Sequence, residues 1–201
     1  MHSYLEDTSY AAQRLFDALS NDAREVERLT VTMREAASRA NAYHSVFLQR
    51  QRHPSVYFWY DEMRKADLER DNTSAQLSRL DDELADRSAS LAVLASAVLQ
   101  MAKQGISMVF GRPENCPNGR DVFGSQLKWV IWAGRNQAQH YEEPRLINEE
   151  TERVFRLISA HSAGHLELDA RCGVNLAFDI VRILGWNNYE NYLRDMQLLL
   201  R

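Results

Sequence analysis

Glycine and proline are scarce in this chain, with 8 Gly and 4 Pro among 201 residues. That is too few to punctuate the many short strands of a β-sandwich or barrel, and the β-branched residues never settle into alternating runs. Cysteine is scarcer still. Cys116 and Cys172 are the only two, which excludes a disulfide framework and a cysteine-rich zinc site and fits a reducing cytosol. Basic residues carry no surplus: 24 Lys and Arg stand against 28 Asp and Glu, for a net charge of −4. Such a chain cannot hold a duplex by phosphate contacts alone, and a nucleic-acid role needs a local site. The N-terminus, Met1-His2-Ser3-Tyr4-Leu5-Glu6-Asp7, lacks a basic region followed by an apolar run. No apolar stretch approaches the roughly 18 residues that a bilayer span needs, so the expected location is the cytoplasm, with no membrane segment.

What the chain has is helical periodicity. Its 45% of hydrophobic residues suffice for one good core or two small ones. The expectation is an all-α protein in which a long helical hairpin over residues 1–88 continues into a helical bundle over residues 89–201. Between residues 3 and 51 nothing breaks a helix, and Leu19, Val26, Met33, Ala40 and Phe47 recur every seven residues beside Leu15, Leu29, Ala36 and Tyr43. This is one long helix, or two with a break near Asn21. His53-Pro54 marks a turn. A second helix spans residues 55–104, where Leu77, Leu84, Leu91 and Val98 form one series, Leu80, Leu94 and Met101 another, and Arg87 interrupts the second. Two long helices joined by a short turn pair most simply as an antiparallel hairpin, although the same pattern serves a parallel dimer. Asp71-Asn72-Thr73-Ser74 is weak enough as helix to break it.

Residues 111–120, with Pro113, Asn115, Pro117, Asn118 and Gly119, form the clearest loop. A helix is expected over residues 122–141 and another over 148–161. The stretch 162–173 is ambiguous, and the last helices, 175–184 and 188–200, are divided by Gly185 with Asn187 or Asn188 as cap. On the helix of residues 122–141, Phe123, Leu127, Val130, Ile131, Gly134, Ala138 and Tyr141 make an apolar stripe. The opposite side carries Trp129, Trp132, Arg135, Asn136, Gln139 and His140. A solvated face normally shows Lys and Glu, so this one is covered, and its polar groups need partners or a task.

The run Trp132-Ala133-Gly134-Arg135-Asn136-Gln137-Ala138-Gln139-His140-Tyr141 resembles the HEPN family, helical proteins whose signature is an Arg, often followed by a polar residue, and a His about five positions on. The resemblance covers residues 89–200 and leaves the first long helix without a counterpart. It implies a metal-independent endoribonuclease of the kind found in toxin and antitoxin pairs, antiviral defence or RNA processing. It also implies a site built across a homodimer, with RNA as substrate, no cofactor, and an antitoxin or other protein as a further partner. By position Arg135, His140 and Asn136 would be the catalytic set, the Asn in support, with Gln139, Tyr141 and Trp132 as weaker substrate contacts. In one toxin branch of the family a Tyr lies two residues after the His, where this chain has Glu142. Regulation through that Tyr does not carry over.

The chemistry accounts for the residue types. RNA carries its own nucleophile in the 2′-hydroxyl, so cleavage needs a group that moves protons near neutral pH and a cation for the charge building on phosphate. An imidazole, with an unperturbed pKa of about 6.5, supplies the first, and a guanidinium fork the second. Residues five apart on a helix point about 140 degrees from each other. Two copies meeting across a dimer axis overcome that divergence.

Other features weigh less. His161 and His165, near Glu167 and Asp169, have the spacing of a metal site on a helix, although Gly164 between them favours a helix end. Tyr57, Phe58, Trp59 and Tyr60, flanked by Arg50, Arg52, Arg64 and Lys65, form either a stacking platform or, preferably, an aromatic plug closing the hairpin. Arg87 is expected to pair with Asp82, Glu83 or Asp86, or to set register in an oligomer. Nothing resembles a nucleophile motif or a Gly-rich phosphate loop. The alternative to the ribonuclease is a non-catalytic helical adaptor that dimerises and binds a protein partner through its hairpin.

Overall fold

The computed structural model describes residues 2–51, 60–162 and 167–201, and the side chains of residues 43–51, 60–63, 66, 67 and 70 fall outside that description. The fold is all-α. Helices α1 (Ser3–Gln51) and α2 (Tyr60–Phe110) make a long helical hairpin, followed by α3 (Leu127–His140), α4 (Glu149–His161), α5 (Ala177–Ile183) and α6 (Tyr189–Leu199). The chain divides into two compact units, Asp22–Ala89 and a second made of Met1–Asn21 with Ser90–Arg201. The first turns of α1 belong with the C-terminal unit. The reason is burial: Leu5, Ala12, Phe16 and Leu19 are core residues there, the Tyr4 hydroxyl donates to the Met101 carbonyl at 2.7 Å, and the Phe16 ring lies 5.4 Å from that of Tyr192.

In the hairpin unit Leu29 and Ala36 are buried, and Val26, Met33 and Ala40 are half-buried, so these members of the seven-residue series face inward, while the side chains of Tyr43 and Phe47 lie outside the described residues. Both helices run without the breaks that the sequence allowed. α1 passes through Asn21 and α2 through residues 71–74. The Thr73 hydroxyl donates back to the Glu69 carbonyl at 2.7 Å, which satisfies it inside the helix instead of capping a new one. Arg87 does not pair along its own helix. It reaches across to Asp22 at 3.0 Å, a register contact between antiparallel helices that spacing along one helix cannot reveal.

The C-terminal unit starts on the buried stripe of α2, Leu91, Ala95, Val98, Leu99, Ala102 and Ile106. Within Asp71–Phe110 one window is long and apolar enough to cross a membrane by length and composition, a third of it buried inside the protein. The core helix of a globular unit has the same composition. The helix expected from residue 122 begins at Leu127 instead, because residues 121–126 fold as a two-stranded antiparallel hairpin, β1 (Asp121–Val122) with β2 (Ser125–Gln126). Its turn has positive φ at both central residues, 49° at Phe123 and 79° at Gly124, the geometry that matches strand twist and wants glycine. Phe123, expected in the apolar stripe, is therefore exposed. At Gly124 a Cβ would lie 2.8 Å from the His161 ring, so strand turn and helix α4 meet only because that position is bare.

α3 touches α4, α5 and the small strands, and its Leu127, Val130 and Ile131 are fully buried. A mid-helix glycine costs about 1 kcal/mol relative to alanine; at Gly134 a Cβ would sit 2.7 Å from Ile180 Cγ2, and close approach of α5 offsets the cost. Asn148 caps α4, accepting from the Thr151 amide, and Asn188 caps α6 in the same way. α5 and α6 are shorter than expected by one or two residues at their ends. Between them Trp186 is fully buried; its indole N–H donates to Asp195 at 2.8 Å, and the Arg120 guanidinium donates to the same carboxylate.

Candidate functional site

The outer face of α3 lies in the C-terminal unit, and its side chains do not share one neighbour. Arg135 is half-buried and points toward α2, where its Nε donates to Gln100 Oε1 at 2.7 Å. Burial holds its guanidinium below the ordinary range. Asn136 turns toward α4, its amide donating to the Thr151 hydroxyl at 3.0 Å. His140 is the last residue of α3 and half-buried; among the described residues no hydrogen bond to its ring is found. Gln139 is exposed. The Tyr141 hydroxyl donates to Glu142 at 2.8 Å, and that hydrogen bond raises the phenol above its ordinary value. Arg135, Asn136 and His140 therefore share a helix but make no hydrogen bond to one another.

Next to Arg135 stands Lys103 of α2. Its ammonium lies 4.7 Å from the centre of the Trp132 ring, within cation–π range. Burial first, and then the charge of Arg135, pulls it below the usual lysine value. Trp132 and Trp129 line a cleft of about 700 Å³. Arg112 and Glu114 border the cleft from the loop after α2, and Thr151, Glu150 and Arg153 from α4. Glu150 and Arg153 are paired with each other. Behind Trp129 is Lys128, almost fully buried, its ammonium donating to the Cys116 carbonyl at 2.7 Å and lying 5.8 Å from the Trp129 ring centre.

Sequence reasoning missed Gln100, Lys103 and Gln137. The signal for Lys103 was present: it is the one charged residue between Arg87 and Arg112, and a lone cation in so apolar a run needs a partner or a purpose. Gln137 lies within the motif but holds structure. Fully buried, it donates to the Val174 carbonyl at 2.7 Å and accepts from the Leu176 amide at 3.0 Å, ordering the entry to α5.

Of the lesser candidates, His165 and Tyr57, Phe58 and Trp59 lie outside the described residues, as does the side chain of Tyr60. His161 Nδ1 sits 2.9 Å from the Leu157 carbonyl one turn back, and its ring packs on Gly124. Among the described residues no group of three or more His, Cys, Asp or Glu side chains is placed to hold a metal ion. Both cysteines are free, Cys116 buried and Cys172 exposed. No family model, curated protein or solved structure matches the chain.

Proposed function

We infer that this protein is a metal-independent endoribonuclease of the HEPN type that acts on single-stranded RNA in the cytoplasm as a defence or toxin-system effector. The observation that carries the reading is the Arg135-Asn136-x-x-x-His140 motif on α3 of an all-α fold, with neither Arg135 nor His140 tied up in an ion pair among the described residues. An Arg and a His kept at a helix interface for structure alone would be expected to hold carboxylates.

In the proposed reaction the RNA 2′-hydroxyl attacks the adjacent phosphorus and the bond from phosphorus to the 5′-oxygen breaks. The products are a 2′,3′-cyclic phosphate and a 5′-hydroxyl. His140 moves the proton between the attacking and leaving oxygens. Arg135 holds the phosphate oxygens as charge develops, with Asn136 supporting the site through α4. Because the two side chains diverge along the helix, the functional unit is a homodimer in which an Arg135 and a His140 from different copies act together.

The test is incubation of labelled single-stranded RNA with the protein in excess EDTA, beside Arg135→Ala and His140→Ala. Cleavage is expected for the wild type and lost in both folded variants, and mixing the two inactive variants restores part of it if the site is composite. RNA left intact by the wild type, or cleavage that survives His140→Ala, sinks the proposal and returns the chain to the adaptor reading.

A further inference from the structure

Several cations on this molecule are neutralised in place. Within the C-terminal unit Arg120, Arg145, Arg153 and Arg171 each hold a carboxylate. Arg135 and Lys103 do not. Arg135 spends its Nε on Gln100, which fixes the guanidinium plane, and among the described residues its two terminal amino groups have no hydrogen-bond partner. Lys103 has an indole face for company in place of an acid. Two like charges sit half-buried side by side: burial disfavours the charge on both, and at Lys103 the charge of Arg135 adds to it. An anion placed between them would relieve that cost. In a chain of net charge −4, such a pair is not a by-product of a generally basic surface.

The indole that carries Lys103 is also a wall of the 700 Å³ cleft, where Trp129 stands beside it. Four cations touch these two rings or border the cleft, Lys103, Arg112, Lys128 and Arg153, against the carboxylates Glu114 and Glu150, and Arg135 adds its charge beside Lys103. Flat aromatic walls under a local excess of positive charge suit an unpaired nucleobase linked to a phosphate. A duplex buries its bases and offers the indoles nothing.

We propose that Lys103 and Arg135 form a phosphodiester site and that the Trp129 and Trp132 cleft beside it takes an unpaired base, so that single-stranded RNA is held along α2 and α3. The proposal deepens the ribonuclease reading and rests on it for the choice of RNA as ligand. Lys103 is a substrate-binding residue that the motif does not contain.

The experiment is fluorescence anisotropy of a short, labelled, single-stranded 2′-O-methyl RNA, which has no nucleophile and cannot be cleaved. It is titrated with the wild type, Lys103→Gln, Trp132→Leu and, as a control, the exposed Arg145→Gln, each first checked for its thermal transition. Lys103→Gln is expected to weaken binding several-fold and to lower the slope of log affinity against log salt by about 0.7, the value for one phosphate contact on a single strand. Trp132→Leu loses about tenfold, the scale of one stacked base, and leaves the salt slope unchanged. Arg145→Gln binds as the wild type does. No binding by the wild type, or equal binding by Lys103→Gln and Trp132→Leu, overturns the proposal. So does displacement of nothing but free adenosine monophosphate, which would make the cleft a nucleotide site. Running unmodified RNA in parallel separates the two ideas: Lys103-dependent binding without cleavage removes the ribonuclease and leaves this site, whereas cleavage indifferent to Lys103 and Trp132 removes this site alone.

Discussion

The two units share α1 and α2 but hold them in different ways. In Asp22–Ala89, among the described residues, each helix has one neighbouring helix within the unit, and Leu29 and Ala36 are the fully buried hydrophobics, while Val31 and Leu68 stand in solvent. In the unit of Met1–Asn21 and Ser90–Arg201 the same helices meet α3 to α6, and residues such as Phe16, Leu99, Ile131, Phe155 and Trp186 are enclosed on all sides. The comparison teaches where a site can be precise. Helical periodicity alone yields length, but fixed side-chain geometry comes from packing on several faces, and the Arg135 helix lies in the enclosed unit.

The largest expected effect sharpens that contrast. Trp186→Ala removes a fully buried indole and leaves Asp195 short of a donor, and it should cost about 3–5 kcal/mol, read as collapse of the near-ultraviolet circular dichroism. Leu29→Ala, in the thinner unit, should cost about 2 kcal/mol and be felt locally. Its readout is faster amide exchange over residues 22–42 and 71–89 with the enclosed unit still protected; equal loss of protection in both units would break the comparison. Gly134→Ala places a Cβ against Ile180 and should cost about 1–3 kcal/mol, against the small gain that alanine brings to an open helix. At the bottom is Arg87→Ala, whose pair with Asp22 is partly exposed: less than about 1 kcal/mol is expected, and a greater loss would mean the hairpin depends on its register contact.

Alkali distinguishes the units by a different physics. Burial pushes the Cys116 thiol from 9.0 up to about 11 and raises the phenols of Tyr4 and Tyr192. These acids ionise more readily in the unfolded chain, so as pH rises from about 9 toward 11 the unfolded state gives up protons that the folded state keeps, and stability falls. Lys103, pulled down, works in the opposite sense but is a single group. Rising alkali should therefore lower the stability of the enclosed unit. Thiol labelling follows it: Cys172 reacts at once at neutral pH and Cys116 only on unfolding, and two fast thiols in the native protein would contradict the burial.

How much of this was legible in the sequence depends on the range of the interaction. The seven-residue series of α1, the stripe Leu127, Val130 and Ile131, and the caps Asn148 and Asn188 are set by neighbours a turn away, and they could be read. The strand turn at Phe123 and Gly124 was hidden because one glycine beside an apolar helix looks like its first turn. The Arg87 to Asp22 pair and the meeting of Lys103 with Arg135 join residues far apart in the chain. Helical spacing carries no record of the partner's register, so one cation was given partners on its own helix and the other was not noticed. Arg135, Asn136 and His140 were found as residue types at a spacing, and their separate partners were not.

The packing of Gly134 has a mechanical consequence. Ile180 fits against the bare backbone on one side of α3, the Gln137 amide clamps the entry of α5 on the next, and Asn136 is tied to Thr151 on a third. Like a shaft keyed on three sides, α3 cannot roll about its axis or slide along it without breaking one of these fittings. The directions in which Arg135 and His140 leave the helix are thus machined into the fold, and no twist of α3 can turn both toward one phosphate.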